Sequence, residues 1–214
     1  MINEYYFEID VLEEQIKYAS NLVDFSIENH KVPNHWDYDG ERKKKTWEFR
    51  FTGTLGEVVF ADTYNLKRPT RSFGAYDGQD LGKDFRLKIN DEIKNFDVKS
   101  MRRKTGIFYT NYVLNIPSSQ LNKFNSITDC YFCVSLYESQ GNLKASFLGH
   151  VKKEDITCGK IGIFYPAGSK RIRGDGTAFN FLEDTYEIDF KDFSNPFITN
   201  KLKTFSGFRI LKIK

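Results

Sequence analysis

A hairpin signal in the middle of the chain constrains the fold more than any other feature. The two strand-like runs cover residues 84–89 and 93–100. The polar pair Asn90-Asp91 lies between them, and both residue types tolerate the positive φ that a tight hairpin turn demands. A two-residue loop there pairs Ile89 with Glu92, and counting back along the ladder sets Asp84 opposite Asp97. Like charges directly opposite one another destabilise a sheet, so two carboxylates roughly 5 Å apart indicate a cation site.

The second strand of this hairpin has one polar face and one apolar face. Asp97 and Lys99 share the polar face, whereas Phe96 and Val98 share the other, because side chains alternate along a strand. A solvated strand face would explain Lys99 on its own. It explains Asp97 less well, since Asp97 is flanked by two apolar residues in the middle of the run.

A further carboxylate, Glu57, lies upstream in a predicted helix. Thr54, followed three residues later by Glu57, is the pattern of a capping box that opens a short helix through about Asn65. The spacing alone leaves two roles open for Glu57. It can be the capping partner of Thr54, and a carboxylate at a helix start can also point into a cleft.

Together, Glu57, Asp84 and Asp97-Val98-Lys99 resemble the PD-(D/E)xK nuclease superfamily, in which a helical glutamate precedes a strand aspartate and an Asp/Glu-x-Lys motif. One departure is Lys83, which occupies the position of the proline in the family's name. The resemblance covers roughly residues 53–138 directly. It implies an α/β protein with a restriction-endonuclease-like core, a central mixed β-sheet flanked by helices.

The resemblance also implies an activity, namely Mg²⁺-dependent cleavage of DNA by an endonuclease of the restriction, defence or DNA-processing type. It assigns Asp84, Asp97 and the carbonyl of Val98 to the metal, with Mn²⁺ as a substitute ion. Glu57 would bind a second ion or orient a metal-bound water, and Lys99 would lie by the attacking water or the scissile phosphate. The alternative is a catalytically silent nucleic-acid-binding subunit that keeps the fold.

Three basic clusters favour a nucleic-acid partner although the net charge is only +3. They are Lys43, Lys44 and Lys45, then Arg102 and Arg103, then Lys170, Arg171 and Arg173. Clustered cations can neutralise phosphates, whereas any one cluster taken alone is equally well explained as solvated surface. DNA is therefore the expected partner. Whether a homodimer or a partner subunit supplies specificity stays open.

The remaining pattern is that of one domain over residues 1–214, with an N-terminal helix and a C-terminal β-rich extension. The predicted elements are a helix over 10–30, strands over 46–51 and 106–116, a helix over 117–125, strands over 129–138 and 143–151, and a last strand over 208–213. Tyr112 or Gln120, in or after the third strand of the motif region, is a candidate for positioning substrate.

Several other functions are disfavoured. Cys130 and Cys133 have the CxxC spacing of metal or redox sites, but residues three apart on a strand point to opposite faces. No phosphate-binding loop ending in Gly-Lys-Ser/Thr is present, and three histidines support histidine catalysis poorly. No apolar run approaches the ~20 residues of a membrane span. The mixed, acidic N-terminus is unlike a signal peptide, so we expect a cytoplasmic protein without a membrane partner.

Overall fold

The computed structural model describes residues 4–29, 40–72, 84–89, 91–108, 112–123, 125–172, 176 and 178–213, with the backbone alone for residues 40–45. The helices are α1 (Glu13–Asn29), α2 (Gly40–Thr63), α3 (Ser118–Leu121) and α4 (Lys153–Thr157). The strands are β1 (Tyr5–Asp10), β2 (Phe85–Ile89), β3 (Glu92–Arg102), β4 (Val113–Pro117), β5 (Cys130–Ser139), β6 (Asn142–Lys152), β7 (Ile163–Tyr165), β8 (Lys170–Ile172), β9 (Ala178–Asn180), β10 (Thr185–Asp189) and β11 (Arg209–Lys212). Two 3₁₀ turns, Phe190–Asp192 and Asn200–Thr204, complete the set for these residues.

A mixed six-stranded sheet with the order β11-β1-β6-β5-β3-β2 forms the centre of the described fold. All its neighbouring strands run antiparallel except β3 and β5, which are parallel. Helices flank this sheet, so the predicted α/β class with a central mixed sheet is confirmed at that level.

The motif hairpin forms as predicted. Ile89 pairs with Glu92, and the ladder continues to Phe85 opposite Phe96. Asp91 adopts φ 65°, the left-handed conformation that the tight turn requires. Local alternation and turn chemistry were therefore sufficient to set this register.

Helices α1 and α2 cover one face of the sheet. Ala19 and Val23 of α1 join Leu55 and Val59 of α2 in a core that also contains the apolar side of the sheet. The helix predicted over 10–30 is confirmed, but the chain before it forms β1, which the sequence pattern did not reveal. Leu12, within the span predicted as helix, precedes α1 and is 43% exposed.

Two predictions about α2 were wrong. Residues 46–51, expected as a strand, belong to this single 24-residue helix. Thr54 is consequently an interior helical residue rather than an N-cap, and its hydroxyl lies 2.9 Å from the Ser72 hydroxyl. The buried face of the helix explains the error, because its aromatic and β-branched residues are typical of strands in isolation but pack here against the sheet.

The opposite face of the main sheet packs on a second, three-stranded sheet with the order β4-β10-β7. Leu114 and Ile116 of β4 and Ile188 of β10 contribute to this second core. Of the strand predicted over 106–116, residues 109–111 lie outside the described residues, and the part from Val113 onward forms β4, which pairs with β10 rather than within the main sheet. The predicted helix after it is confirmed only as the single turn α3, without a side-chain cap.

The CxxC pair behaves as strand geometry requires. Cys130 belongs to the core under α1 and α2, whereas Cys133 belongs to the core on the other face, and both are buried free thiols. Burial raises the pKa of Cys130 to about 11, so this thiol stays protonated near neutrality. Within the described residues, no helix has the length and apolar character needed to cross a bilayer.

Candidate metal-dependent site

Asp84 lies where the ladder between β2 and β3 ends. Regular pairing stops at Phe85, and the Asp84 N–H donates to the Phe96 carbonyl at 2.8 Å. The Asp84 carboxylate then accepts a hydrogen bond from the Val98 N–H at 2.6 Å. The structure thus brings Asp84 directly onto the Asp97–Val98 peptide, beside the residue that the register count set opposite it.

Asp97 and Lys99 form an ion pair on one face of β3. The Lys99 Nζ lies 2.7 Å from Asp97 Oδ1 and 2.8 Å from Oδ2. The two side chains are only 15% and 23% exposed, so this pair is largely shielded from solvent. The ammonium therefore neutralises the charge of this candidate cation ligand.

Tyr131 adds a residue that sequence patterns did not identify. It lies opposite Asp97 in the parallel pairing of β3 with β5, and Lys99 Nζ is 5.6 Å from its ring centre. Burial and then the charge of Asp97 raise the pKa of Tyr131. Its buried hydroxyl has no hydrogen-bond partner among the described residues. Only the strand pairing shows this proximity, since 34 positions separate Tyr131 from Asp97 along the chain.

Glu57 lies on α2 next to a close contact between helix and strand. A Cβ added at Gly56 would lie 1.8 Å from Ser100 Oγ, so the absence of a side chain there lets α2 lie directly against β3. Glu57 itself is half-buried. This contact places its helix turn against the face of β3 that carries Phe96, Val98 and Ser100, whereas the Asp97 and Lys99 side chains lie on the other face.

The predicted metal ligands are not assembled into one three-carboxylate cluster. Among the described residues, no group of three or more His, Cys, Asp or Glu side chains is close enough to hold a metal ion. The structure joins Asp84 to the Asp97–Val98 peptide, whereas Glu57 lies on the helix that covers the other face of β3. Two carboxylates are still a usual number for Mg²⁺, which keeps several waters and is often completed by substrate phosphate.

Tyr112 and Gln120, the two candidates for positioning substrate, both belong to the described residues. Gln120 lies in α3, and its buried Oε1 has no hydrogen-bond partner among the described residues. Tyr112 is half-buried, and its ring packs edge-on against Phe108 at 5.0 Å between centres. Neither observation connects them to Asp97.

The basic clusters differ in how much charge they expose. Arg102 is exposed, with its guanidinium 5.7 Å from the Phe51 ring centre, and Lys170 is exposed as well. Arg171 pairs with Glu187 at 2.8 Å, which offsets its charge. Lys43, Lys44 and Lys45 belong to the first turns of α2, but their side chains lie outside the described residues, as does Arg173.

The prediction that Arg103 belongs to a nucleic-acid-binding surface is contradicted by its burial. Its side chain is only 5% exposed, and its guanidinium pairs with the fully buried Glu8 at 2.9 Å. Burial lowers the pKa of Arg103 against the opposing effect of Glu8. An arginine held inside the fold by a carboxylate is not placed to contact a phosphate backbone, so we remove Arg103 from the predicted nucleic-acid face.

Comparisons with protein-family models, with curated proteins and with solved structures found no match to this chain.

Proposed function

We propose that this protein is a cytoplasmic, Mg²⁺-dependent phosphodiesterase that cleaves DNA, as an endonuclease of the restriction, defence or DNA-processing type. The observation that carries the proposal is the meeting of Asp84 with the Asp97-Val98-Lys99 segment. A hydrogen bond of 2.6 Å joins Asp84 to Val98, and the Asp97–Lys99 pair lies on the adjoining positions of the same strand. Acid, acid and lysine thus adjoin one another as the proposed chemistry requires.

The residues present fit a magnesium ion with few protein ligands. Asp84 and Asp97 would hold it, and the Val98 carbonyl is a third oxygen, since the N–H and C=O of one strand residue point to the same side. When bound, the ion supplies an activated water and neutralises charge on the phosphate.

Lys99 has the role of a mobile cation next to the acids. Its ammonium bonds to both oxygens of Asp97. Its flexible side chain can instead reach a substrate phosphate, where it stabilises the negative charge that develops at the transition state. The buried ring of Tyr131 restricts the directions open to this ammonium, because Nζ lies 5.6 Å from the ring centre.

The topology supports the same proposal. The hairpin of β2 and β3 leads into a sheet in which β3 is parallel to β5 and β5 is antiparallel to β6. A mixed sheet of this kind is what the resemblance to the PD-(D/E)xK superfamily implies. Arg102, exposed at the end of β3, would supply a cation for a phosphate of the bound DNA.

The direct test is cleavage of supercoiled plasmid with Mg²⁺ or with EDTA, combined with metal titration by calorimetry. Asp97→Asn should abolish both cleavage and metal binding. Lys99→Ala should keep or tighten metal binding, because it removes the ammonium that competes for Asp97. Its single-turnover cleavage should nevertheless fall by ~10²–10³, the usual cost of losing one charge-stabilising donor.

Two controls on the same strand match these charge changes. Glu92→Gln and Lys94→Ala each change one partner of an ion pair with a 2.8 Å separation. The Glu92 side chain is 69% exposed and the Lys94 side chain is 37% exposed. Both controls should cleave at the wild-type rate. Cleavage by Asp97→Asn at the wild-type rate, or equal cleavage by the wild type in EDTA, would refute the proposed site.

A second candidate function is a DNA-binding subunit without catalysis. The neutralisation of Asp97 by Lys99, together with the absence of a three-carboxylate cluster among the described residues, favours it. In that case DNA binding would persist unchanged in EDTA, and the Asp97→Asn variant would bind DNA as tightly as the wild type while neither cuts.

A further inference from the structure

Two attractions hold the Lys99 ammonium, one from a carboxylate and one from an aromatic ring. Its Nζ lies 2.7 Å from Asp97 Oδ1 and 5.6 Å from the centre of the Tyr131 ring. A cation within about 6 Å of a ring centre is attracted to the negative face of the ring. Among the described residues, no other lysine lies over an aromatic ring. The contact is therefore particular to the candidate site.

The pairing of β3 with β5 explains how the ring comes to this place. In the parallel register, Tyr131 is the neighbour of Asp97, and Cys133 is the neighbour of Lys99. The Lys99 side chain nevertheless places its Nζ at Asp97 and over Tyr131. It is thus directed back along β3 by two residues, towards the part of the strand that Asp84 contacts.

The Tyr131 ring is a fixed partner, whereas Lys99 is a flexible one. Tyr131 is 1% exposed and belongs to the second core, together with Leu121, Val151 and Ile156. Side chains in such a core keep one rotamer, because the interior is close-packed. Burial raises the pKa of Tyr131, so the ring remains neutral near pH 7. The attraction therefore comes from a neutral ring face whose position is set by the core.

The Tyr131 hydroxyl is separate from this contact. It is buried and has no hydrogen-bond partner among the described residues, and an unsatisfied buried hydroxyl lowers stability. A phenylalanine ring would provide the same attracting face without that cost. One substitution, Tyr131→Phe, therefore separates the effect of the ring from that of the hydroxyl.

We propose that Tyr131 is a positioning residue whose ring face keeps the Lys99 ammonium at the site when Asp97 is no longer its partner. The proposed function assigns Asp97 to a cation, and the ammonium must then leave that carboxylate. A released lysine side chain gains rotamer freedom and hydration by extending into solvent. The ring opposes this loss, so the ammonium stays where it can stabilise negative charge on a phosphate. The catalytic use of this position rests on the proposed function, whereas the position itself does not.

The position is measured by NMR on protein that is isotope-labelled at the lysine ε-carbon. The signal that is absent in Lys99→Arg identifies Lys99, and protons that lie over a ring face resonate upfield of solvated ones. Asp97→Asn removes the charged partner without any metal, and the Lys99 signal should keep at least half of its upfield shift there. Tyr131→Phe should keep the shift as well, whereas Tyr131→Leu should remove it. The matched control is Phe108→Leu, which removes a buried ring of the same core and should leave the signal unchanged.

The catalytic use is measured by single-turnover cleavage of plasmid with saturating Mg²⁺. Tyr131→Leu should be roughly three- to tenfold slower than the wild type, the size expected for one lost cation–π contact, whereas Tyr131→Phe should remain within about twofold. In the Lys99→Ala background, Tyr131→Leu should add no further loss, because the ring acts through the lysine. Phe108→Leu should have the same effect in both backgrounds.

Three results would overturn the proposal. They are loss of the Lys99 upfield shift in Asp97→Asn, equal effects of Tyr131→Phe and Tyr131→Leu, and an undiminished effect of Tyr131→Leu in the Lys99→Ala background. A wild type that does not cleave DNA refutes the proposed function, and the spectra then decide the position of the ammonium on their own. The Asp97→Asn and Tyr131→Phe spectra decide it even if Tyr131→Leu does not fold.

Discussion

Replacing Glu8 with glutamine tests how the main sheet is held together. The carboxylate is fully buried and accepts hydrogen bonds from Arg103, Tyr137, Ser146 and Arg209. Glu8→Gln keeps the size of the side chain but removes its charge, and it turns one hydrogen-bond acceptor into a donor. Arg103, with 5% of its side chain exposed, would be left as a buried cation without its counter-ion.

The expected cost follows from this burial. Removing one partner of a buried ion pair typically costs about 3–5 kcal/mol. The half-exposed Arg209 contributes little more, since exposed pairs are worth about 0–1 kcal/mol. The free energy of unfolding should therefore fall by about 3–5 kcal/mol. In a chain of this length that corresponds to a decrease in Tm of roughly 10 °C.

Urea unfolding followed by circular dichroism measures this decrease. Glu92→Gln, at an acid that is 69% exposed, is the matched control and should leave the free energy of unfolding close to that of the wild type. The double variant Glu8→Gln with Arg103→Met should recover part of the stability, because no buried cation is left unpaired. A Glu8→Gln protein within about 1 kcal/mol of the wild type would refute this reasoning. So would a double variant less stable than the single one.

Three further predictions concern packing, pH and salt. Gly56→Ala should lower the free energy of unfolding by about 1–3 kcal/mol, because its Cβ would meet Ser100. Gly53→Ala, in the same helix, has open space around its Cβ and should raise the free energy of unfolding by up to about 1 kcal/mol. Urea unfolding measures both changes, and the reasoning is contradicted if both variants are destabilised or both are stabilised. Burial lowers the pKa of His150 to about 4. The unfolded chain therefore takes up a proton below about pH 6.5 while the folded one does not, and stability should fall by about 3 kcal/mol as the pH drops from about 6.5 to 4. His150→Phe should lack this component, and identical pH profiles of unfolding would refute it. Replacing Lys43, Lys44 and Lys45 with alanine should flatten the log–log salt dependence of DNA binding by close to one unit for each phosphate that these lysines neutralise, and an unchanged slope would show that the cluster does not bind DNA.

Local rules were enough for the hairpin that carries the candidate acids. The pairing of Ile89 with Glu92 follows from a two-residue turn, and Asp91 adopts the positive φ that such a turn needs. The assignment of Asp97 and Lys99 to one strand face follows from alternation alone, and the structure joins them in an ion pair. Both properties depend on neighbours within a few residues, so the sequence contains them directly.

Helix α2 shows where local propensity failed. Residues 46–51 resemble a strand and Thr54 resembles an N-cap, yet both lie within one continuous helix. Packing of the helix against the sheet, including the contact of Gly56 with Ser100, outweighs propensities of a few tenths of a kcal/mol per residue. That contact joins positions 44 residues apart, which no short window of sequence describes.

Tertiary structure also determined which charged side chains are buried and which are exposed. The sequence showed Arg102 and Arg103 as one basic cluster, but the structure leaves the first exposed and buries the second on Glu8, 95 positions away. The same folding brings Tyr131 beside Asp97 through the parallel pairing of β3 with β5. Side-chain type and spacing therefore determined which groups were present and which strand face they occupied. Which of them were neutralised, buried or left at a surface depended on strands that meet only when the sheet assembles, because burial and pairing are properties of the packed chain.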